Sequence, residues 1–193
     1  MAQDTGRPLR ADAQRNRDKI LAAAVRVFTE EGLDAHYERV AKVAGVGTGT
    51  LYRNFPTRET LIEAAYRNEV GRLCDAVPGL LETLPAREAL RTWMGHFIDY
   101  ATAKLGMAEA LRSVVASGGD PYGHSREMIQ TAITTLMEAG VAAGELRRDI
   151  LPSDLFAALA GIALTSAEPA QRGQAERLLA LTLDGLSAAP SHG

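Results

Sequence analysis

The residues best suited to chemistry in this chain lie in one short stretch, GVGTGTLYRNF, residues 45–55. Gly45, Gly47 and Gly49 alternate with Val46, Thr48 and Thr50, and Tyr52 and Arg53 follow. Glycines spaced like this do one of two jobs. They bring backbone amides up to a nucleotide phosphate, or they turn one helix sharply into another that meets something larger. The first job needs a strand before the glycines and, for a P-loop, a Lys-Ser/Thr after them. The preceding ERVAKVA instead has helical periodicity, the spacing is G-x-G-x-G, and no lysine follows. The second job fits a helix-turn-helix: a short helix, a tight glycine turn, and a second helix presented to a DNA major groove. Val46 can plug the space between the two helices. Leu51 and Phe55, four apart, face inward, which leaves Thr48, Thr50, Tyr52 and Arg53 to meet phosphates and base edges. Small residues at Gly47 and Gly49 let the backbone approach DNA closely. For each of these the plain alternative is ordinary packing or a solvated side chain.

Other chemistries find little support. No G-x-S-x-G, CxxC or HExxH occurs, and Cys74 has no obvious base beside it, so an enzyme is not expected. His96 and His124 are lone histidines without a set of metal ligands around them, so no metal or other cofactor is expected. A single cysteine fits a reducing cytoplasm. There is no run of about 18 apolar residues, which argues against a membrane span, and the polar start is unlike a secretory signal. The net charge of −3 is unevenly placed. Residues 1–58 hold ten Lys/Arg against seven Asp/Glu, and the rest hold eleven against seventeen, so only the front is suited to a polyanion.

The elements around the glycines are helical throughout. Residues 1–11 are expected to form a flexible arm, residues 12–57 a three-helix unit, and residues 58–193 a body. Ile20, Ala24, Val27 and Phe28 give the first helix one apolar face, and Gly32 stops it. Short helices follow at Tyr37–Ala44 and Thr48–Asn54, and Pro56 ends the latter. Thr57 caps a long helix that buries Leu61, Ile62, Ala65, Val70 and Leu73. Pro78-Gly79 and Pro85 punctuate the chain, and SGGDPYG at 117–123 is its strongest loop signal. Helices are expected at about 86–104, 107–116, 125–143, 153–166 and 170–187. No strand is expected anywhere, and the fold class is all-α.

The stretch AKVAGVGTGTLYRNFPTRETLIEAAY resembles the TetR family of bacterial transcription regulators. The resemblance is carried by Val40-Ala41, Ala44-Gly45-Val46, Gly49-Thr50-Leu51-Tyr52, Phe55, Arg58-Glu59 and Leu61, with ILAAAVRVFTEEGLDA upstream. It covers about residues 15–66. The C-terminal two-thirds resemble the family's ligand-binding and dimerisation domain mainly in helix pattern, and GVGTGTLYRNFPTRE with DYATAKLGMAEALR further on is similar to SbtR-like C-terminal domains. The resemblance implies an N-terminal helix-turn-helix domain and a C-terminal domain for effector binding and dimerisation. It also implies a repressor that binds a palindromic double-stranded DNA operator as a homodimer, released by a small molecule. Tyr52 would contact phosphate, and Arg58 stands where the family carries a basic phosphate clamp. Two departures stand out. Gly47 replaces a common serine, and His36-Tyr37 replaces the usual Ser/Thr pair, so the contact expected there is open. An activator of the same fold would use the same DNA residues, whereas a helical protein-interaction module would not bind DNA.

Two further sets of residues complete the expectation. Trp93, Phe97, Tyr100, Met107, Leu111, Tyr122, Met128, Ile133 and Met137 combine adaptable methionines with aromatics suited to an apolar effector; plain core is the alternative. Leu155, Leu159, Ile162, Leu178, Leu179, Leu181, Leu183 and Leu186 make the last two helices apolar on more than one side. The resemblance implies a four-helix bundle between two subunits there, with Leu155, Leu159, Ile162, Leu178, Leu179, Leu183 and Leu186 at the dimer interface.

Overall fold

The structure of this chain, a computed structural model, describes residues 6–166 and 168–188. Residues 1–5 of the expected arm lie outside the described residues. Nine α-helices make up the architecture among the described residues: α1 (Gly6–Glu31), α2 (Tyr37–Ala44), α3 (Thr48–Asn54), α4 (Arg58–Thr83), α5 (Ala86–Gly106), α6 (Ala108–Ala116), α7 (Ser125–Ala142), α8 (Pro152–Thr165) and α9 (Arg172–Leu186). The one β-type pairing among them is an isolated bridge between Leu146 and Ser187. The all-α class expected from sequence is the class observed.

Two boundaries differ from expectation. α1 begins at Gly6, not near Asp12. Pro8 falls in its first turn, where a missing N–H costs no helical hydrogen bond, so proline does not delay the start. α4 runs through Pro78 to Thr83 where punctuation was expected. Pro78 withholds the N–H that the Cys74 carbonyl would accept, but its neighbours Leu73 and Val77 are buried and hold the helix in place. The Trp93 indole also donates to the Leu73 carbonyl at 2.9 Å, anchoring α5 to α4 just before the disturbed turn.

The chain forms two compact units, residues 1–68 with 106–121, and residues 69–105 with 122–193. The first joins α1, α2, α3 and the start of α4 with α6, which lies beyond the expected boundary at residue 57. Its interior is built from Ile20, Ala24, Val27 and Phe28 of α1, Val40 and Ala41 of α2, Leu51, Phe55, and Leu61, Ile62 and Ala65 of α4, all buried. Gly106 meets α1 so closely that a Cβ there would lie 2.4 Å from the Thr29 methyl, which explains a glycine at that spot.

The second unit contains the rest of α4, with α5, α7, α8 and α9. The rings of Trp93, Tyr100 and Phe156 surround that of Phe97 in tilted and edge-on contacts, with centroids about 6 Å from it, a favourable aromatic arrangement. A polar clasp ties the start of α5 to the end of α9. The Arg87 backbone N–H donates to the Glu145 carboxylate at 2.7 Å, and its guanidinium donates to Asp184 at 2.8 Å and Ser187 at 3.2 Å. Among the described residues no helix is long and apolar enough to cross a membrane.

Candidate nucleic-acid interface

The turn between α2 and α3 follows from one backbone angle. Gly45 sits at φ 68°, ψ 33°, the left-handed region that costs an L side chain energy. That angle lets the Gly45 N–H reach the Lys42 carbonyl at 3.3 Å and the Val46 N–H reach the Ala41 carbonyl at 3.0 Å. The pair is a Schellman closure of α2. A Cβ on Gly45 would meet nothing within 4 Å, so the glycine is required by conformation and not by space.

Gly47 and Gly49 are different. Gly47, the N-cap of α3, has φ −69° and ψ 145°, which any residue adopts. Neither position would bring a Cβ within 4 Å of another atom, and both are exposed. Nothing inside the protein demands a glycine at either. Gly47 also leaves α3 without a side-chain cap.

α3 buries Leu51 completely and lodges Phe55, just beyond its end, in the same interior. Thr48, Tyr52 and Arg53 are exposed and Thr50 is half-buried. Arg53 lies back along its own helix, donating to the Gly49 carbonyl and the Thr50 hydroxyl, each at 3.2 Å. Asn54 donates to the Thr50 carbonyl at 2.8 Å. At the start of α4, Thr57 and Thr60 cap reciprocally, the Thr60 N–H donating to the Thr57 hydroxyl at 3.2 Å and the Thr57 N–H to the Thr60 hydroxyl.

The two tyrosines of this region have different partners. Their rings lie 4.9 Å apart at 54°. The Tyr37 hydroxyl donates to the Phe55 carbonyl and faces the Thr57 carbonyl at 3.3 Å, tying α2 to the α3–α4 connection. Burial, with the nearby Tyr52, Glu59 and Glu38, pushes its pKa up to about 12. Tyr52 is 43% exposed, and its hydroxyl donates to the Glu38 carboxylate at 2.9 Å. That bond raises the Tyr52 pKa, while the Glu38 pKa is lowered first by its own backbone N–H and then by Tyr52.

The remaining expected contacts divide. His36 is exposed as the N-cap of α2, with no side-chain cap bond. Tyr37 is engaged by backbone carbonyls. The Arg58 guanidinium donates to the Gly32 carbonyl at 3.1 Å and lies over the Phe28 ring at 5.2 Å, so it braces α1 as well as standing at the helix start. Arg17 lies over the Phe55 ring at 4.6 Å. The Tyr52–Glu38 contact was missed by sequence reasoning, because it joins residues 14 apart that no local pattern links.

Among the described residues, the expected effector residues fall in both units. Trp93, Phe97, Ile133 and Met137 are buried core of the second unit, whereas Met107 and Leu111 are buried and belong to the first. Tyr122 and Met128 are exposed. Clefts in the second unit are reached separately. Tyr100 lines one of about 320 Å³ with Glu69, Arg72, His96 and Asp99. Met137 lines one of about 500 Å³ with Val141, Ile150 and Leu151. Met128 lines one of about 470 Å³ with Cys74, Val77 and Pro78. Burial, and then Asp75, pushes the Cys74 pKa up to about 11.

The expected dimer residues are mostly covered within the single chain. Leu155, Leu159, Ile162, Leu179, Leu183 and Leu186 are buried within the single chain, and Leu178 is half-buried. α8 and α9 each turn one leucine stripe inward, because α7, α8 and α9 pack on one another. The large apolar residues left outside on these helices are Leu164, 68% exposed, and Leu181, 69% exposed.

A two-helix motif closed by a left-handed glycine, with a short second helix exposing hydroxyl, phenol and guanidinium groups, defines a helix-turn-helix protein. The comparisons agree. The profile of the bacterial regulatory proteins of the tetR family matches residues 20–65, and that of the transcriptional regulator SbtR-like C-terminal domain matches residues 85–188. The TetR transcriptional regulator SCO0520 from Streptomyces coelicolor is 75% identical in its crystal structure, with a TM-score of 0.88 over 90% of this chain and 99% of that one. A TetR transcription regulatory protein from Mycobacterium vanbaalenii is 32% identical, with a TM-score of 0.77 over 94% of this chain and all of the other. An HTH-type transcriptional regulator of Staphylococcus aureus is 43% identical over 54 residues, 28% of this chain and 29% of that protein's length. The chain belongs to the TetR family of helix-turn-helix transcriptional regulators.

Proposed function

We propose that this regulator is a homodimeric, cytoplasmic repressor that binds a palindromic operator and is released by a small-molecule effector. Each subunit lays α3 in a major groove, and the half-sites lie about one helical turn, roughly 34 Å, or a simple multiple apart. Thr48, Thr50, Tyr52 and Arg53 meet phosphates and base edges. Gly47 and Gly49 clear the approach, and His36 flanks it at the start of α2. Phosphate contacts supply most of the affinity, so binding weakens steeply with salt. The observation that carries the reading is α3 itself: a buried Leu51 on one side, and two exposed glycines with no internal need for them on the other.

The second subunit docks on the outer face of α8 and α9, where Leu164 and Leu181 remain uncovered among small residues such as Ala157, Ala158 and Gly161. An effector held by the second unit favours a subunit arrangement unsuited to the operator, and operator and effector then oppose each other reciprocally. α4, which runs through both units, carries the change.

A gel shift with a duplex from the promoter region of the protein's own gene tests the DNA reading. Tyr52→Ala with Arg53→Ala is expected to lower affinity at least about tenfold, the loss of one or two charge-assisted contacts. Both side chains are exposed, so the melting temperature should stay within a degree or two. Unchanged affinity would show that α3 is not the recognition element.

A further inference from the structure

A phenol has one proton to donate. In this structure the Tyr52 proton goes to Glu38, at 2.9 Å, and both side chains are exposed. A DNA phosphate arriving at Tyr52 is a second anionic acceptor for that same proton, so the two cannot both be served. Tyr37 cannot substitute as donor, because its own hydroxyl is held by the Phe55 and Thr57 carbonyls. Its ring does pack against that of Tyr52, with centroids 4.9 Å apart at 54°. The adjacent Arg39 pairs with Glu31 at 2.8 Å.

We infer that Glu38 is a built-in competitor for DNA phosphate, an anion that occupies the single donor of Tyr52 in the free protein and so sets the affinity of the recognition surface. The inference rests on α3 being the DNA-contacting helix. Binding requires the phenol to swing from carboxylate to phosphate, an exchange of one charge-assisted hydrogen bond for another. Removing Glu38 makes the proton available beforehand.

A double-mutant cycle on the full chain tests this, with wild type, Glu38→Ala, Tyr52→Phe and the double variant titrated against the same promoter-region duplex. Both positions are exposed, and melting curves check that all four proteins fold. Glu38→Ala is expected to bind about 3- to 10-fold more tightly than wild type, the worth of one hydrogen bond. In the Tyr52→Phe background the gain should vanish, because no proton remains to compete for. A gain of equal size in both backgrounds would mean that Glu38 acts only by charge repulsion, and the inference falls. Weaker binding by Glu38→Ala would mean that the carboxylate holds Tyr52 productively, which also overturns it. These failures leave the DNA reading intact. Absence of any salt-dependent binding by wild type removes that reading and this inference together.

Discussion

The first unit and the second are built on opposite principles. Around the α2–α3 turn the distinctive features are left uncovered: a left-handed glycine, two open glycines, and exposed polar side chains such as Tyr52 and Arg53. In the second unit most of what is distinctive is inside, from the Trp93, Phe97 and Tyr100 rings to the inward leucines of α8 and α9. A surface that must meet a large polyanion keeps its chemistry outside on a minimal core. A domain made of long helices must fill the space between them, and its apolar residues are consumed in doing so.

The contrast can be broken in order of severity. Trp93→Ala should be the most damaging, about 3–5 kcal/mol, because it empties a fully buried site and strips the Leu73 carbonyl of its indole donor. Urea denaturation reads the loss, and a cost below that of a surface change would mean the aromatic cluster is not the second unit's core. Gly45→Ala should cost about 1–2 kcal/mol through backbone strain alone, since the added methyl has room. DNA binding should fall with it as α3 loses its aim, so a variant of normal stability and affinity would break the Schellman assignment.

Tyr37→Phe should cost about 1 kcal/mol at neutral pH, one hydrogen bond to backbone. It carries a pH signature as well. The folded pKa is raised from 10.0 to about 12, so the neutral phenol is favoured by folding. Its contribution is complete below pH 10 and is lost as pH rises through 12. Wild type should therefore lose stability over that interval more steeply than Tyr37→Phe, and parallel pH curves would show that the phenol is not held as described. Gly47→Ser should have the smallest effect, a gain of a few tenths of a kcal/mol from the side-chain cap that α3 lacks. A loss in thermal stability would show that the position is crowded after all.

Much of the first unit was legible in the chain. Short-range signals sufficed for Gly45, for the inward pair Leu51 and Phe55, and for the Thr57 cap, since each depends on neighbours within about one helical turn. The same signals misjudged proline. Pro78 reads as punctuation, but its buried neighbours hold the helix through it. In the second unit the sequence named apolar residues correctly as a class but not by side. Leu155, Leu159 and Leu183 read as a face for a partner and lie inside, while Leu164 and Leu181 stay out.

The sequence by itself determined the helical class, the helix-turn-helix and its family, because periodicity, turn chemistry and a dense local motif are properties of consecutive residues. Only the tertiary structure decided that Glu38 holds the Tyr52 proton, that Tyr37 ties backbone instead of facing outward, and which leucines of α8 and α9 are spare. Those outcomes depend on which helices meet and at what rotation. A helix apolar on two sides carries no mark of which side its own chain will cover.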